Sequence, residues 1–138
     1  MTTSVLTQKE SLTVSWIKDV QLEVQVRNHR LRLDQPAEEG GRDEGMTPVE
    51  CFVASLGGCI GYFAVKFCRR HAIPTVGMKI TAEWDYAERP HRVGAIAVHL
   101  DLPARLDSEM RNRLQRVLEG CTVHQTLVHS PAISVELR

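Results

Sequence analysis

The sequence predicts an α+β fold: antiparallel strands around one long buried central helix. Three observations carry this. Before residue 34, apolar and polar residues alternate with the period of two that marks a half-buried strand. From Thr47 the alternation stops, and the 15 residues from Cys51 to Val65 contain no charge. Two further alternating runs and two helical segments follow. Strands grouped apart from helices, rather than interleaved with them one by one, give α+β and not a parallel α/β sheet.

In the first third, Leu12, Val14 and Trp16 alternate with Thr13, Ser15 and Ile17, and Leu22, Val24 and Val26 with Glu23, Gln25 and Arg27. Asn28 suits the turn into Leu31 and Leu33. Arg27, His29, Arg30 and Arg32 then read as the wet face of a strand rather than as a nucleic-acid footprint. Asp34 to Gly45 is a polar loop punctuated by Pro36, Gly40, Gly41 and Gly45. Thr47-Pro48-Val49-Glu50 starts a helix: threonine caps, proline suits the first turn, and Glu50 completes a capping box. The helix should run to about His71, because Ile73-Pro74 ends it. A helix without charge on any face is expected to be buried on all sides. Met78–Tyr86 and Val93–Leu102 are strand candidates joined at Arg89-Pro90-His91. Asp107–Glu119 has helical periodicity closed by Gly120. A short helix from Cys121 to Val128 and a strand over Ala132–Leu137 complete the expected order.

At 138 residues the chain is expected to be a single domain, 1–138. Hydrophobic residues at 43% and charged residues at 25% are the proportions of a soluble globule and argue against disorder. Seventeen basic residues balance seventeen acidic ones, so the electrostatic footprint of a nucleic-acid binder is missing. The polar N-terminus has no signal-peptide core, and the uncharged stretch falls short of the ~20 residues that span a bilayer. The expected location is cytoplasmic, with no membrane partner. In a reducing compartment, cysteines are more often buried, catalytic or metal-bound than locked in structural disulfides.

The four cysteines are Cys51, Cys59, Cys68 and Cys121. The three on the long helix cannot pair with one another, since eight residues of helix already rise ~12 Å against a bridging limit of ~7 Å between Cα atoms. Cys121 is therefore the partner open to Cys59, if Cys59 has one in the chain. Taken singly, each cysteine reads as a small buried hydrophobe. Cys59 differs in its setting, Leu56-Gly57-Gly58-Cys59-Ile60-Gly61. Each glycine costs a helix about 1 kcal/mol relative to alanine, so something must offset roughly 3 kcal/mol. Close packing of another helix or strand would do so, and so would room for a substrate beside the sulfur. Cys121 opens a short helix, whose positive end should lower its pKa. Cys121 and His124 are also spaced as half of a metal site, with no second half in the sequence.

Gly45-Met-Thr-Pro-Val-Glu50-Cys-Phe-Val-Ala-Ser-Leu-Gly-Gly-Cys59, with Gly120-Cys121-Thr-Val-His-Gln-Thr-Leu127 62 positions beyond Cys59, resembles the OsmC/Ohr family. These are the osmotically inducible protein C and organic hydroperoxide resistance proteins. The resemblance runs from about Ser11 to Leu137. It implies an OsmC-like fold, an intertwined homodimer and a cysteine-based peroxidase without metal or organic cofactor. In such a cycle Cys59 attacks an organic hydroperoxide, becomes a sulfenic acid and is captured by Cys121 as a disulfide. An external dithiol, a lipoylated protein or a thioredoxin-like reductant, reopens the bond. Glu50 matches the acidic residue that holds an arginine against the thiolate. Glu50 and Cys59 are ~13.5 Å apart along one helix and ~180° around it, so this Glu50 would serve the partner chain's site. Arg42, on the Gly-rich loop, is the candidate arginine, with Arg30 and Arg32 behind it. Two other readings compete: a non-enzymatic dimer of this fold that binds an apolar ligand or senses redox state, and a metal module on Cys121 and His124.

Overall fold

The computed structural model describes residues 9–138. The polar start of the chain, residues 1–8, on which the expectation of no signal segment partly rests, lies outside them. The chain divides into two compact units, with the boundary between Cys51 and Phe52.

The first unit is an antiparallel sheet of β1 (Thr13–Lys18), β2 (Gln21–Val26) and β3 (His29–Leu33), in that order. The alternation sets the register: Val14 lies opposite Val24, and Val24 opposite Leu31. Both hairpin turns place a residue at positive φ, Asp19 at 49° and Arg27 at 51°. The basic residues of β3 are exposed, with Arg30 3.8 Å from Glu23 across the ladder. The Gly-rich loop is not irregular. It contains a 3-10 turn, Ala37–Glu39, closed by Gly40 at φ 88°, and returns to the sheet where Asp34 N–H donates to the Met46 carbonyl. A Cβ at Gly41 would run into the Gln35 carbonyl, so only glycine fits there.

The long helix α1 spans Pro48–Arg70. It stops as expected: Ala72 takes φ 53°, and Ile73 N–H reaches back to the Cys68 carbonyl at 2.8 Å. The second unit packs most of α1 with a hairpin of β4 (Lys79–Ala87) and β5 (Arg92–Asp101), then α2 (Ser108–Glu119) and α3 (Thr122–Val128). Asp107 caps α2 by accepting from Met110 N–H at 2.8 Å. Ala64 and Phe67 of α1 and Leu114 of α2 are buried together, with Met78, Leu100 and Leu102 against them.

Two expectations are sharpened by the structure and a third is corrected. First, within one chain α1 is buried along one face. Val53, Leu56, Ile60, Ala64 and Phe67 face inward, whereas Phe52, Ser55, Gly58 and Tyr62 form an exposed, uncharged stripe. Missing charge marks a face removed from water, but not which molecule removes it. Second, of the two coverings open to the glycines, Gly57 and Gly61 take the strand rather than another helix. Ile80 of β4 lies on them, with its Cδ1 3.0 Å from the position of a Gly61 Cβ. Third, Ala132–Leu137 forms no strand among the described residues, although its alternation is intact. Ile133, Val135 and Leu137 are 82%, 94% and 98% exposed, because an alternating segment becomes a strand only when a ladder accepts its N–H and C=O groups.

The helix α1 also has the length and hydropathy to cross a bilayer: 23 residues, with a window of mean hydropathy 1.6, of which 44% is buried inside the chain. The sequence reading counted only the uncharged stretch and so missed this. The inward face described above makes α1 the core helix of the second unit.

Candidate active site

The helix α1 brings Cys59 to the inner edge of its apolar face, beside Leu56 and Ile60. The loop after α2 brings Cys121 to the same cluster, where it is fully buried. Cys59 is half-buried, and both thiols are free. Of the four cysteines, the structure sets these two side by side. Ile96 and Val98 of β5, with Phe63, Leu118 and Val123, close around them. Gly58, on the outer side of Cys59, has open space where a Cβ would be.

Cys121 is the N-cap of α3, and its Sγ accepts from the His124 backbone N–H at 3.4 Å. The sequence suggested a lowered pKa, and the opposite holds. Burial pushes the Cys121 thiol up from its usual 9.0, the adjacent Cys59 adds to the rise, and the N–H groups of His124 and Val123 offset it only in part. A one-turn contribution from a short helix is outweighed by removal of the thiolate from water. Burial likewise raises Cys68, which lies in α1 away from this pair.

Arg42 and Glu50 belong to the first unit, and each is engaged locally. Arg42 is exposed, with its Nε bonded to Asp19 Oδ2 at 2.9 Å. Glu50 is exposed and forms the capping box: Thr47 N–H donates to Glu50 Oε1 at 2.8 Å, and Glu50 N–H to Thr47 Oγ1 at 3.1 Å. Arg30 and Arg32 lie on β3 against Glu23 and Glu44.

The sequence reading missed Asp34. Its carboxylate is buried and organises the loop that carries Arg42. Oδ1 accepts from Gln35 N–H, and Oδ2 from Gln21 Nε2, Arg42 N–H and Glu44 N–H. Burial alone would raise its pKa; the four donors, Glu44 first, outweigh that and hold it below the ordinary 3.8. An aspartate opening a Gly-rich loop was the available signal, but three of the four donors sit 8 and 10 residues downstream and 13 upstream, where spacing rules do not reach.

Beside the cysteine cluster, Leu56, Ile60, Val98, Leu100 and Leu118 line a hollow of about 400 Å³, with Arg111, Glu119 and His124 at its polar side. Neither sulfur is part of its wall. Among the described residues, no three His, Cys, Asp or Glu side chains are placed to hold a metal ion.

No match to a curated protein was found. Solved structures share the fold at low identity. A Psychrobacter arcticus protein described as an osmotic stress induced and detoxification response protein is 18% identical, with a TM-score of 0.79 over 88% of this chain and 90% of that one. An OsmC-like protein from Mycoplasma pneumoniae is 15% identical, with a TM-score of 0.76 over 90% of each chain. An organic hydroperoxide resistance protein OsmC from Legionella pneumophila is 17% identical, with a TM-score of 0.65 over 88% of this chain and 90% of that one. The family model of OsmC-like proteins matches residues 41–136, a span that holds the capping box, α1 and both cysteines of the cluster. The chain belongs to the OsmC-like protein family.

Proposed function

We propose that this protein is a thiol peroxidase that reduces organic hydroperoxides, with Cys59 as attacking and Cys121 as resolving sulfur. The observation that carries this reading is the free pair itself: a half-buried Cys59 against a fully buried Cys121 in an otherwise apolar cluster. The Cys59 thiolate displaces the alcohol from ROOH, and a proton completes ROH, leaving Cys59–SOH. Cys121–SH then displaces water from the sulfenic acid, giving the Cys59–Cys121 disulfide. An external dithiol, lipoylated or thioredoxin-like, takes up the oxidation by becoming a disulfide itself. The apolar walls favour an alkyl hydroperoxide over hydrogen peroxide.

In this reading Arg42 supplies the cation that an attacking thiolate in mid-helix needs, since a helix terminus influences only its own turn. Glu50 of a partner chain orients that arginine. A homodimer accounts for three features that a single chain leaves open: the uncharged stripe of α1, the exposed Ile133, Val135 and Leu137, and, among the described residues, sheets of two and three strands. A second reading, a non-enzymatic dimer that binds an apolar ligand, draws on the 400 Å³ hollow.

One equivalent of cumene hydroperoxide should convert the reduced protein to an intramolecular Cys59–Cys121 disulfide, identified by peptide mapping. Cys59→Ser should abolish peroxide consumption, and Cys121→Ser should stop the reaction at the sulfenic acid. Arg42→Ala should slow the first step about tenfold, because the attacking thiolate loses the cation beside it. Bridging through Cys51 or Cys68, or no oxidation at all, would reject the peroxidase and leave the ligand-binding reading.

A further inference from the structure

A second hollow of about 370 Å³ lies in the second unit, between the C-terminal end of α1 and the middle of α2. Its walls are Arg70, His71, Arg113, Arg116, Phe67 and Val117. Every charged group lining it is a cation, in a chain whose formal net charge is zero. Arg113 and Arg116, three positions apart, lie on one face of α2, and Arg70 meets them from the other helix. Among the described residues, none of the three forms an ion pair with a carboxylate. The wall is also fixed on its apolar side, where the rings of Phe67 and His71 lie 4.3 Å apart.

Helix dipoles account for part of this. Arg70 and Arg116 sit in the last turns of their helices, where a cation is favourable. That effect places a cation along each helix separately. It does not require the two ends to converge, and it does not reach Arg113 in the middle of α2. Three guanidinium groups drawn together without a carboxylate repel one another until an anion joins them.

We propose that this hollow binds a soluble, multiply charged phosphate compound. A phosphate group carries up to two negative charges and three acceptor oxygens, and guanidinium forks bind it by paired hydrogen bonds. A single carboxylate would neutralise only one of the three arginines. The hollow is open to solvent, so a small anion can reach the three guanidinium groups. The volume falls within the range of small-ligand sites, about 300–1,000 Å³. The site shares no residue with the cysteine cluster and stands whether or not the protein reduces peroxides.

Inorganic pyrophosphate, titrated calorimetrically into the full-length protein at constant ionic strength, tests the assignment. Saturable binding at one site per chain is expected, accompanied by a rise in melting temperature, because a ligand that binds only the folded state stabilises it. The double variant Arg113→Gln/Arg116→Gln should weaken binding at least tenfold. Arg69→Gln removes a charge from the same helix end without touching the hollow and should leave binding unchanged. No saturable binding at millimolar pyrophosphate would overturn the proposal, as would equal binding by the double variant or an equal loss with Arg69→Gln.

Discussion

Asp34 shows how one side chain can specify a loop. Four donors converge on its carboxylate, and three of them belong to segments that would otherwise be a run of glycines and acids. Because its native pKa is lowered, the stability that it contributes is fully present above the ordinary value of 3.8. It is lost as pH falls through the lower native value. Asp34→Asn presents an amide where several N–H groups seek an acceptor. Hydrogen exchange at the Gln35, Arg42 and Glu44 amides should therefore accelerate roughly tenfold or more at neutral pH, in line with loss of a hydrogen bond to a charged group. Exchange measured residue by residue checks this, and protection unchanged in the variant would show that the loop holds itself.

At the scale of the element, α1 divides its work between two faces. One packs on β4, β5 and α2, and there Gly57 and Gly61 let Ile80 approach the helix backbone. The other carries Phe52, Ser55, Gly58 and Tyr62, spaced as a single stripe. In a free helix face, Gly58→Ala would gain about 1 kcal/mol in propensity, since its Cβ meets nothing within 4 Å. If the stripe is the contact between two copies, added bulk there acts the other way. Gly58→Leu should convert the protein to a folded monomer, read by sedimentation and circular dichroism together. A dimer of unchanged affinity would assign the interface to another surface.

For the whole molecule, the C-terminal segment is the most telling feature. Three aliphatic side chains at least four-fifths exposed, in strict alternation, have the pattern of a strand's inner face, although the segment forms no strand among the described residues. Two-stranded hairpins such as β4–β5 are marginal alone and gain stability from further strands. The proposed homodimer supplies both needs at once, so removal of residues 131–138 should lower dimer affinity and the melting temperature together. A truncated protein that remains dimeric at micromolar concentration would separate this segment from assembly.

The sequence by itself determined most of the local structure, the strand expected over Ala132–Leu137 excepted. The Thr47–Glu50 box, the alternation of β1 to β5 and the Asp107 and Gly120 boundaries each depend on neighbours within a few positions, so their pattern is legible in one dimension. It also brought forward Cys59 and Cys121, through their residue context and family spacing. What only the tertiary structure decided depends on distant partners: that Ile80 rather than another helix covers Gly57 and Gly61, and that Asp34 gathers N–H groups up to thirteen residues away. The protonation of Cys121 belongs to the same class. A sequence shows the helix start that would lower its pKa, but burial raises it more strongly, and burial is a property of everything packed around the sulfur.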